Sequence, residues 1–416
     1  MTQNFRIDVG RVMSRLHELA AINPLRPTGS CRLALSDEDK RGRDLLVGWL
    51  KAAGLAVHID AIGNIFGVLE GSDPNLAPIM SGSHIDTVAT GGLYDGALGV
   101  VGALEVAETL RRTEVGIKRS LVVAAFTNEE GARFQPDMLG SHVYTGGMSV
   151  AEGRATIGID GKQLGAELDR IGYAGEMVPG AIRPAAFVEL HIEQGPILDA
   201  EGVAIGAVEN LQGISWQEVT FTGHSNHAGT TPMHMRHDCA AALGEVIVFL
   251  GRLASEIGGG QVATVGRIEL EPNLVNVVPG LARFTIDIRN PDANLLREAE
   301  ARVASFLQTV ARGHGLESST RELARFEPVR FDERLVSRIE RNATALGLSN
   351  RRMTSGAGHD AQMMATICPT AMIFAPSIGG ISHNPNEATA ADDIEDAANV
   401  LLHTLAELLT SEGEIT

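Results

Sequence analysis

The chain has 416 residues, of which 44% are hydrophobic and 21% charged, and a formal net charge of −18 at pH 7. Such a length exceeds what one hydrophobic core usually serves, so two or three domains are expected, and the ordinary globular composition excludes fibrous and disordered classes. The acidic balance provides no basic domain to track a phosphate backbone, which excludes nucleic acid as a partner.

The first segment, "MTQNFRIDVGRVMSRLHELAAI", lacks the basic start and unbroken apolar core of a signal peptide, and nowhere do about 18 apolar residues run together. The expectation is a cytoplasmic chain without membrane association. Cys31, Cys239 and Cys368 are too few and too scattered for a disulfide framework or a zinc knuckle. Along the chain, helix 36–54 ("SDEDKRGRDLLVGWLKAAG") is followed by strands "LAVHIDA" (55–61), "IFGVLEG" (65–71) and "LAPIMSG" (76–82). Helix 96–112 and strands "SLVVAAF" (120–126) and "AAFVELH" (185–191) continue the alternation. Short apolar strands between helices predict an α/β fold, a mixed sheet with helices on both faces.

From about residue 212 the order becomes strand 215–223, helix 238–258, strand 261–271, strand 278–290, helix 293–313 and strand 316–326. That β-α-β-β-α-β order reads as an inserted ferredoxin-like α+β unit. Helix 334–348 and the apolar strand "TAMIFAP" (370–376) then return to the first domain. The expected division is 1–211 and 330–416 for the first domain, and 212–329 for the insert.

Polar clusters fall at strand ends. Strand 76–82 runs into His84, 120–126 into Thr127, Asn128, Glu129 and Glu130, 185–191 delivers His191 with Glu193, and 370–376 leads to His383. Ligands of open α/β sheets collect beyond the carboxyl ends of strands. Imidazole and carboxylate without thiolate suit divalent first-row metals, with open positions left for water. Taken singly, His84 could be a satisfied buried histidine, Asp95 a helix N-cap, Glu129 and Glu130 a solvated helix start, and His191 and His383 loop residues. Their coincidence at strand termini favours one site.

The segments "GSHIDTVATGGLYDGALGV", "TNEEGARF", "ELHIEQGPILDAEG", "FTGHSNHAGTTPMHMRHDCAAA", "EPNLVNVVPG", "SGAGHDAQMMA" and "GISHNPNE" occur in this order over nearly the whole chain. Together they resemble the two-metal amidohydrolases of the aminoacylase and carboxypeptidase superfamily. More narrowly, they are similar to its amidase, hydantoinase and carbamoylase branch, which holds N-carbamoyl-L-amino acid hydrolases, β-ureidopropionases and allantoate amidohydrolases. The resemblance implies a metallopeptidase-like catalytic domain and two divalent ions per subunit, zinc, manganese, cobalt or nickel. Asp95 would bridge them, His84 and His191 completing one ion, Glu130 and His383 the other.

By the same resemblance Glu129 is the general base, and Asp86 fixes His84 by accepting its second ring N–H. Gly91, Gly92 and Gly96 let the backbone turn beside the bridging carboxylate. Arg289 grips a substrate carboxylate, His227 stabilises an oxyanion in cis or from a partner subunit, and Gln194 and Asn276 contact substrate. Gly356 and Gly358 allow close approach of substrate, and His359 is either a substrate contact beside them or a packing residue behind the site. Ligands in one domain and Arg289, Asn276 and His227 in the other imply closure about hinges near 210–213 and 329–331. The implied protein is a homodimer joined through its insert, an N-carbamoyl-L-amino acid hydrolase acting on a small carboxylated ureido substrate. Allantoate amidohydrolase and β-ureidopropionase are close alternatives. A dipeptidase or aminoacylase, or a catalytically silent metal-binding scaffold, is more distant.

Overall fold

The computed structural model describes residues 5–411 and 413, so the first four residues of the N-terminal segment and residues 412 and 414–416 lie outside the described residues. The chain divides into two compact units, Met1–Glu209 with Arg330–Thr416, and Asn210–Val329.

Strands β1 (Ala56–Ile59), β2 (Ile65–Leu69), β3 (Ile79–His84), β4 (Leu121–Phe126), β5 (Ala186–Ile192) and β6 (Ile205–Leu211) come first in the chain. Strands β7 (Gly213–Thr222), β8 (Asn226–His227), β9 (Val262–Thr264), β10 (Ile268–Glu271), β11 (Val277–Val278), β12 (Leu281–Asn290) and β13 (Glu317–Phe326) follow. The last are β14 (Val329–Arg330), β15 (Asn350–Ser355) and β16 (Thr370–Ala375).

In the larger unit the sheet order is β1-β2-β4-β3-β5-β16-β6-β14, with β15 paired to β6. Its centre, β4-β3-β5-β16, is parallel, while β1, β2 and β6 pair antiparallel. Every residue of β3, β4, β5 and β16 is buried. Alternate side chains point to opposite faces, so complete burial means that both faces of this mixed sheet are covered. The helices Ala97–Arg112 and Ala391–Thr410, each with a mostly buried sequence, pack on these strands and on each other. Because the central strands are parallel, their carboxyl ends share one edge, and the loops that follow them meet there.

The smaller unit carries an antiparallel sheet in the order β10-β12-β7-β13, with β9 paired to β12. Its core is built by Val219, Phe221, Phe284 and Ile286 from the strands, with Leu250 and Val303 from the Asp-capped helices Cys239–Ile257 and Ala293–Gly313. The expected single strand 261–271 is two pieces. At Val265–Gly266–Arg267 the chain leaves the ladder, and Arg267 N donates instead to Thr285 Oγ1 (3.0 Å), the kind of irregularity that a glycine marks inside a strand. Among the described residues no helix is long and apolar enough to cross a membrane.

Candidate metal centre

β3 ends on His84, and the chain then loops to Asp95 and turns at Gly96 into the helix Ala97–Arg112. Gly96 has φ 62°, and a Cβ there would lie 2.3 Å from the His84 ring, so this turn needs glycine on both counts. The helix has no side-chain cap, which removes the N-cap reading of Asp95. The Asp95 carboxylate faces the histidines instead. Its Oδ1 lies 3.6 Å from His84 Nε2 and 3.3 Å from His191 Nε2, and its Oδ2 lies 3.3 Å from His383 Nε2. Glu130 Oε2 is 3.3 Å from His383 Nε2, and Glu129 Oε2 is 3.3 Å from His84 Nε2.

Ring orientation follows from the hydrogen bonds on the far side. His84 Nδ1 donates to the Asp86 carbonyl (3.0 Å) and His191 Nδ1 to the Ile192 carbonyl (2.9 Å), since a carbonyl can only accept. Each imidazole therefore directs the lone pair of Nε2 at Asp95, and Gly96 N donates to that lone pair on His191 (3.1 Å). Lone pairs and a carboxylate oxygen converge here, an arrangement that repels unless a cation or a proton lies between them.

The electrostatics carry the same sign. Burial opposes protonation of His84 and His191, yet Glu129 and Asp95 for the first ring and Asp95 for the second outweigh it and raise both. The hydrogen bond with Asp95, ahead of the charge of Glu130, pushes His383 up to about 9. Burial raises Asp95, but its hydrogen bonds with His191, His383 and His84 outweigh that and hold it well below the usual carboxylate range. Burial, then the charge of Asp95, lifts Glu130 to about 8, and burial with the nearby charges of Asp360, Glu130 and Asp95 lifts Glu129 well above the ordinary range.

Asp86 differs from expectation. Its Oδ1 stays 4.0 Å from His84 Nδ1, whose hydrogen bond goes to the main-chain carbonyl of the same residue. The carboxylate accepts from the main-chain N–H groups of Glu129 (3.3 Å) and Glu130 (3.4 Å), because the loop after β4 lies alongside. His359 is another of the expected site residues. It is 1% exposed, its Nε2 is 3.0 Å from Ser355 Oγ, and its ring packs 4.5 Å from that of His191. Burial, followed by the charge of His191, holds its pKa well below the ordinary value. Gly356 leaves open space where a Cβ would be, while Gly358 lies against Met138. Gln194, at φ 58°, donates from Nε2 to Asp95 Oδ2 (2.9 Å).

In the smaller unit His227 and Asn276 are neighbours, since β8 pairs with β11 and Ala228 N donates to the Asn276 carbonyl (2.9 Å). His227 Nδ1 accepts from Gly229 N (3.1 Å) and Thr230 N (3.2 Å), which puts the ring proton on Nε2 as a fixed donor. Arg289, on β12, forks onto Asp287 (Nη2–Oδ2 2.9 Å), with Cζ 5.7 Å from the Trp216 ring centroid.

Three buried groups around the centre were not anticipated. Glu189 accepts from Ser83 Oγ (2.6 Å) and Ala361 N (2.8 Å). It precedes His191 by two residues on one strand, so its place on the same face was readable from alternation. Arg32, lowered to about 10 by burial, spans the carbonyls of Ile85 and Leu19, and nothing in "GSCRLA" signals it. Glu387 closes the segment "GISHNPNE" four residues after His383.

Parallel strands deliver histidines and carboxylates to one sheet edge, a set that suits metal-assisted hydrolysis, and similarity to known proteins gives the class, an amidohydrolase. The chain belongs to the family "Peptidase family M20/M25/M40", whose family model matches residues 80–407. It is 40% identical over 405 residues to N-carbamoyl-L-amino-acid amidohydrolase of Rhizobium meliloti, covering 97% of each chain. It is 37% identical over 361 residues to allantoate amidohydrolase of Bacillus subtilis (strain 168), covering 86% of this chain and 88% of the relative. The crystal structure of an amidase of the hydantoinase/carbamoylase family from Burkholderia multivorans superposes with a TM-score of 0.95 at 40% identity, over 98% of this chain and 100% of the other.

The residues fit the divalent metals that the family uses. Two sets, His84 with Asp95 and His191, and Asp95 with Glu130 and His383, each bring their ligand atoms within 4.8 Å of one another and share Asp95. The ion pairs of Asp95, Glu129 and Glu130 among the described residues are all with histidines, so no lysine or arginine fills the place of a cation.

Proposed function

We propose that this amidohydrolase uses two divalent ions, one on each ligand set, to cleave the carbamoyl C–N bond of an N-carbamoyl-L-amino acid. One water is consumed, and the amino acid, ammonia and carbon dioxide are released. The observation that carries this reading is the Glu129 carboxylate beside an Asp95 shared by both ligand sets. Bound divalent ions supply Lewis acidity toward a carbonyl oxygen and acidify water.

Glu129 takes the proton of the attacking water and returns it to the leaving nitrogen, for which burial and its acidic neighbours give it suitable proton affinity. Glu130, one residue on, is a ligand, and the main-chain grip of Asp86 keeps the two carboxylates in their separate orientations. His227, its Nδ1 already accepting two main-chain N–H groups, would donate from Nε2 to the oxyanion, with Asn276 beside it. The guanidinium of Arg289, paired in this structure with Asp287, would exchange that carboxylate for the substrate's. Ile247, Val248, Leu274 and Val275 are exposed apolar residues of the smaller unit and support a homodimer formed through it, which light scattering of the full chain will test.

The experiment that tests the reading is a hydrolysis screen of the metal-reconstituted protein over N-carbamoyl α-amino acids, N-carbamoyl-β-alanine, allantoate and dipeptides, with ammonia release as readout. Turnover of N-carbamoyl α-amino acids at the highest kcat/KM is the expected outcome. Preference for allantoate, the second reading and the one favoured by the Bacillus subtilis relative, would replace it. Glu129→Gln should keep both ions and lose about 10²–10⁴-fold in kcat. Near-normal kcat at full metal content would remove Glu129 from its role.

A further inference from the structure

His383 is the ligand with the least support from the sheet. Its side chain is 52% exposed, its φ is 54°, and it hangs on the loop between β16 and the helix Ala391–Thr410. One buried carboxylate ties that loop to the main chain that carries Asp95. Glu387, 1% exposed, accepts from the main-chain N–H groups of Tyr94 (2.9 Å) and Asp95 (3.2 Å) through Oε1, and from Ser382 Oγ (2.9 Å) through Oε2. Ser382 Oγ is in turn 3.4 Å from Asp95 Oδ2. A Cβ on Gly92 would meet Glu387 Oε1 at 2.1 Å, so the turn is bare where this carboxylate enters it.

Among the described residues no lysine or arginine pairs with Glu387, and the charges acting on it include the repulsion of Asp95. A carboxylate buried in this way is costly, and an apolar side chain would serve simple packing better. We propose that Glu387 is a positioning residue for the ion set of Asp95, Glu130 and His383, setting the reach of the His383 loop to the shared Asp95 by holding the main chain on which Asp95 sits. The inference rests on the two-ion reading of the site. Asp95 keeps other anchors without Glu387, since Ala97 N donates to its carbonyl (2.6 Å) and Leu98 N to that of Tyr94 (2.9 Å). His383 and its neighbours keep mostly exposed ties, Thr90 Oγ1 on the His383 carbonyl (3.0 Å), Thr28 Oγ1 (3.0 Å) and N (3.4 Å) on that of Pro385, and Gln194 Nε2 near Ser382 Oγ (3.3 Å) and His383 Nε2 (3.5 Å). Loss of Glu387 therefore acts on one ion more than on the other.

The test is a titration of the metal-free full chain with Zn²⁺ and with Mn²⁺ by calorimetry, read beside the thermal midpoint of the metal-free protein. His383→Ala and His191→Ala identify which binding step belongs to which ion. Glu387→Ala should weaken the step lost in His383→Ala by about 10–100-fold, leave the other step near wild type and leave the metal-free midpoint unchanged. Glu387→Gln, which can still accept the two N–H groups and turn its own NH₂ to Ser382 Oγ, should restore most of the affinity. Ser382→Ala, which removes one of the three contacts, should weaken the same step to a lesser degree, and it serves if Glu387→Ala does not fold. Unchanged affinity in Glu387→Ala overturns the proposal, as does equal weakening of both steps with a lowered metal-free midpoint, the signature of a structural staple. Failure of Glu387→Gln to recover overturns it in favour of charge alone. Fewer than two ions on the wild-type chain would defeat the two-ion reading itself, and the inference with it.

Discussion

The Asp86 carboxylate receives two main-chain N–H groups, those of Glu129 and Glu130, while the imidazole of His84 leans on a carbonyl that no side-chain substitution removes. Asp86→Asn leaves one oxygen to accept and sets an NH₂ against an N–H. It should lower kcat by about 10–100-fold and leave retention of the ion at His84 and His191 nearly intact, which kinetics and metal analysis of one preparation will show. Preferential loss of that ion would return Asp86 to the role of fixing the His84 ring. At this scale the sequence shows a residue's place in a strand better than its partners. His84, Glu129, Glu130, His191 and His383 stand at or just past apolar runs, and their meeting at one edge follows from parallel strands alone. The partners of Asp86 and Glu387 are backbone amides at positions 129, 130, 94 and 95. Backbone amides have no residue type to read.

Among elements, the turn between Asp95 and the helix Ala97–Arg112 has the least tolerance. Gly96→Ala combines a strained left-handed φ, itself worth about 1–3 kcal/mol, with a collision on the His84 ring. The expected result is a destabilised protein that does not retain metal at His84 and His191, measured by denaturant titration with metal analysis. In the other unit, Asp238 caps the helix Cys239–Ile257 by accepting from Ala240 N (3.0 Å) and Ala241 N (3.1 Å). Asp238→Ala should cost about 1 kcal/mol, seen by chemical denaturation, without change in metal content. The main strands and helices were legible because their apolar periods are long and clean. The break of the expected strand 261–271 was not foreseen, since Gly266 lies within an otherwise β-rich run and its departure depends on Thr285 of the neighbouring strand.

At the scale of the molecule, all five candidate ligands belong to the unit made of residues 1–209 and 330–416. Ions that bind only the folded state should therefore raise the stability of that unit, by about 2.7 kcal/mol for each ion at a hundredfold excess over its Kd, and leave the unit 210–329 unaffected. Hydrogen exchange with and without chelator will separate the two, and equal protection of both units would contradict the assignment of every ligand to one. The discontinuous unit was legible from the change in element order near 212 and its reversal after 330. The exact place of the last strand was not, because pairing partners follow from topology rather than from local pattern.

That last strand matters when the chain is made. β16 lies between β5 and β6, both of which leave the ribosome well over a hundred residues before it. Until residue 375 emerges, the nascent sheet has a gap at its centre, with two apolar edges waiting, while the interposed 120-residue compact unit has already been made. Translation past β16 is the step that fills this gap, and only eight residues later does the last candidate ligand, His383, become available.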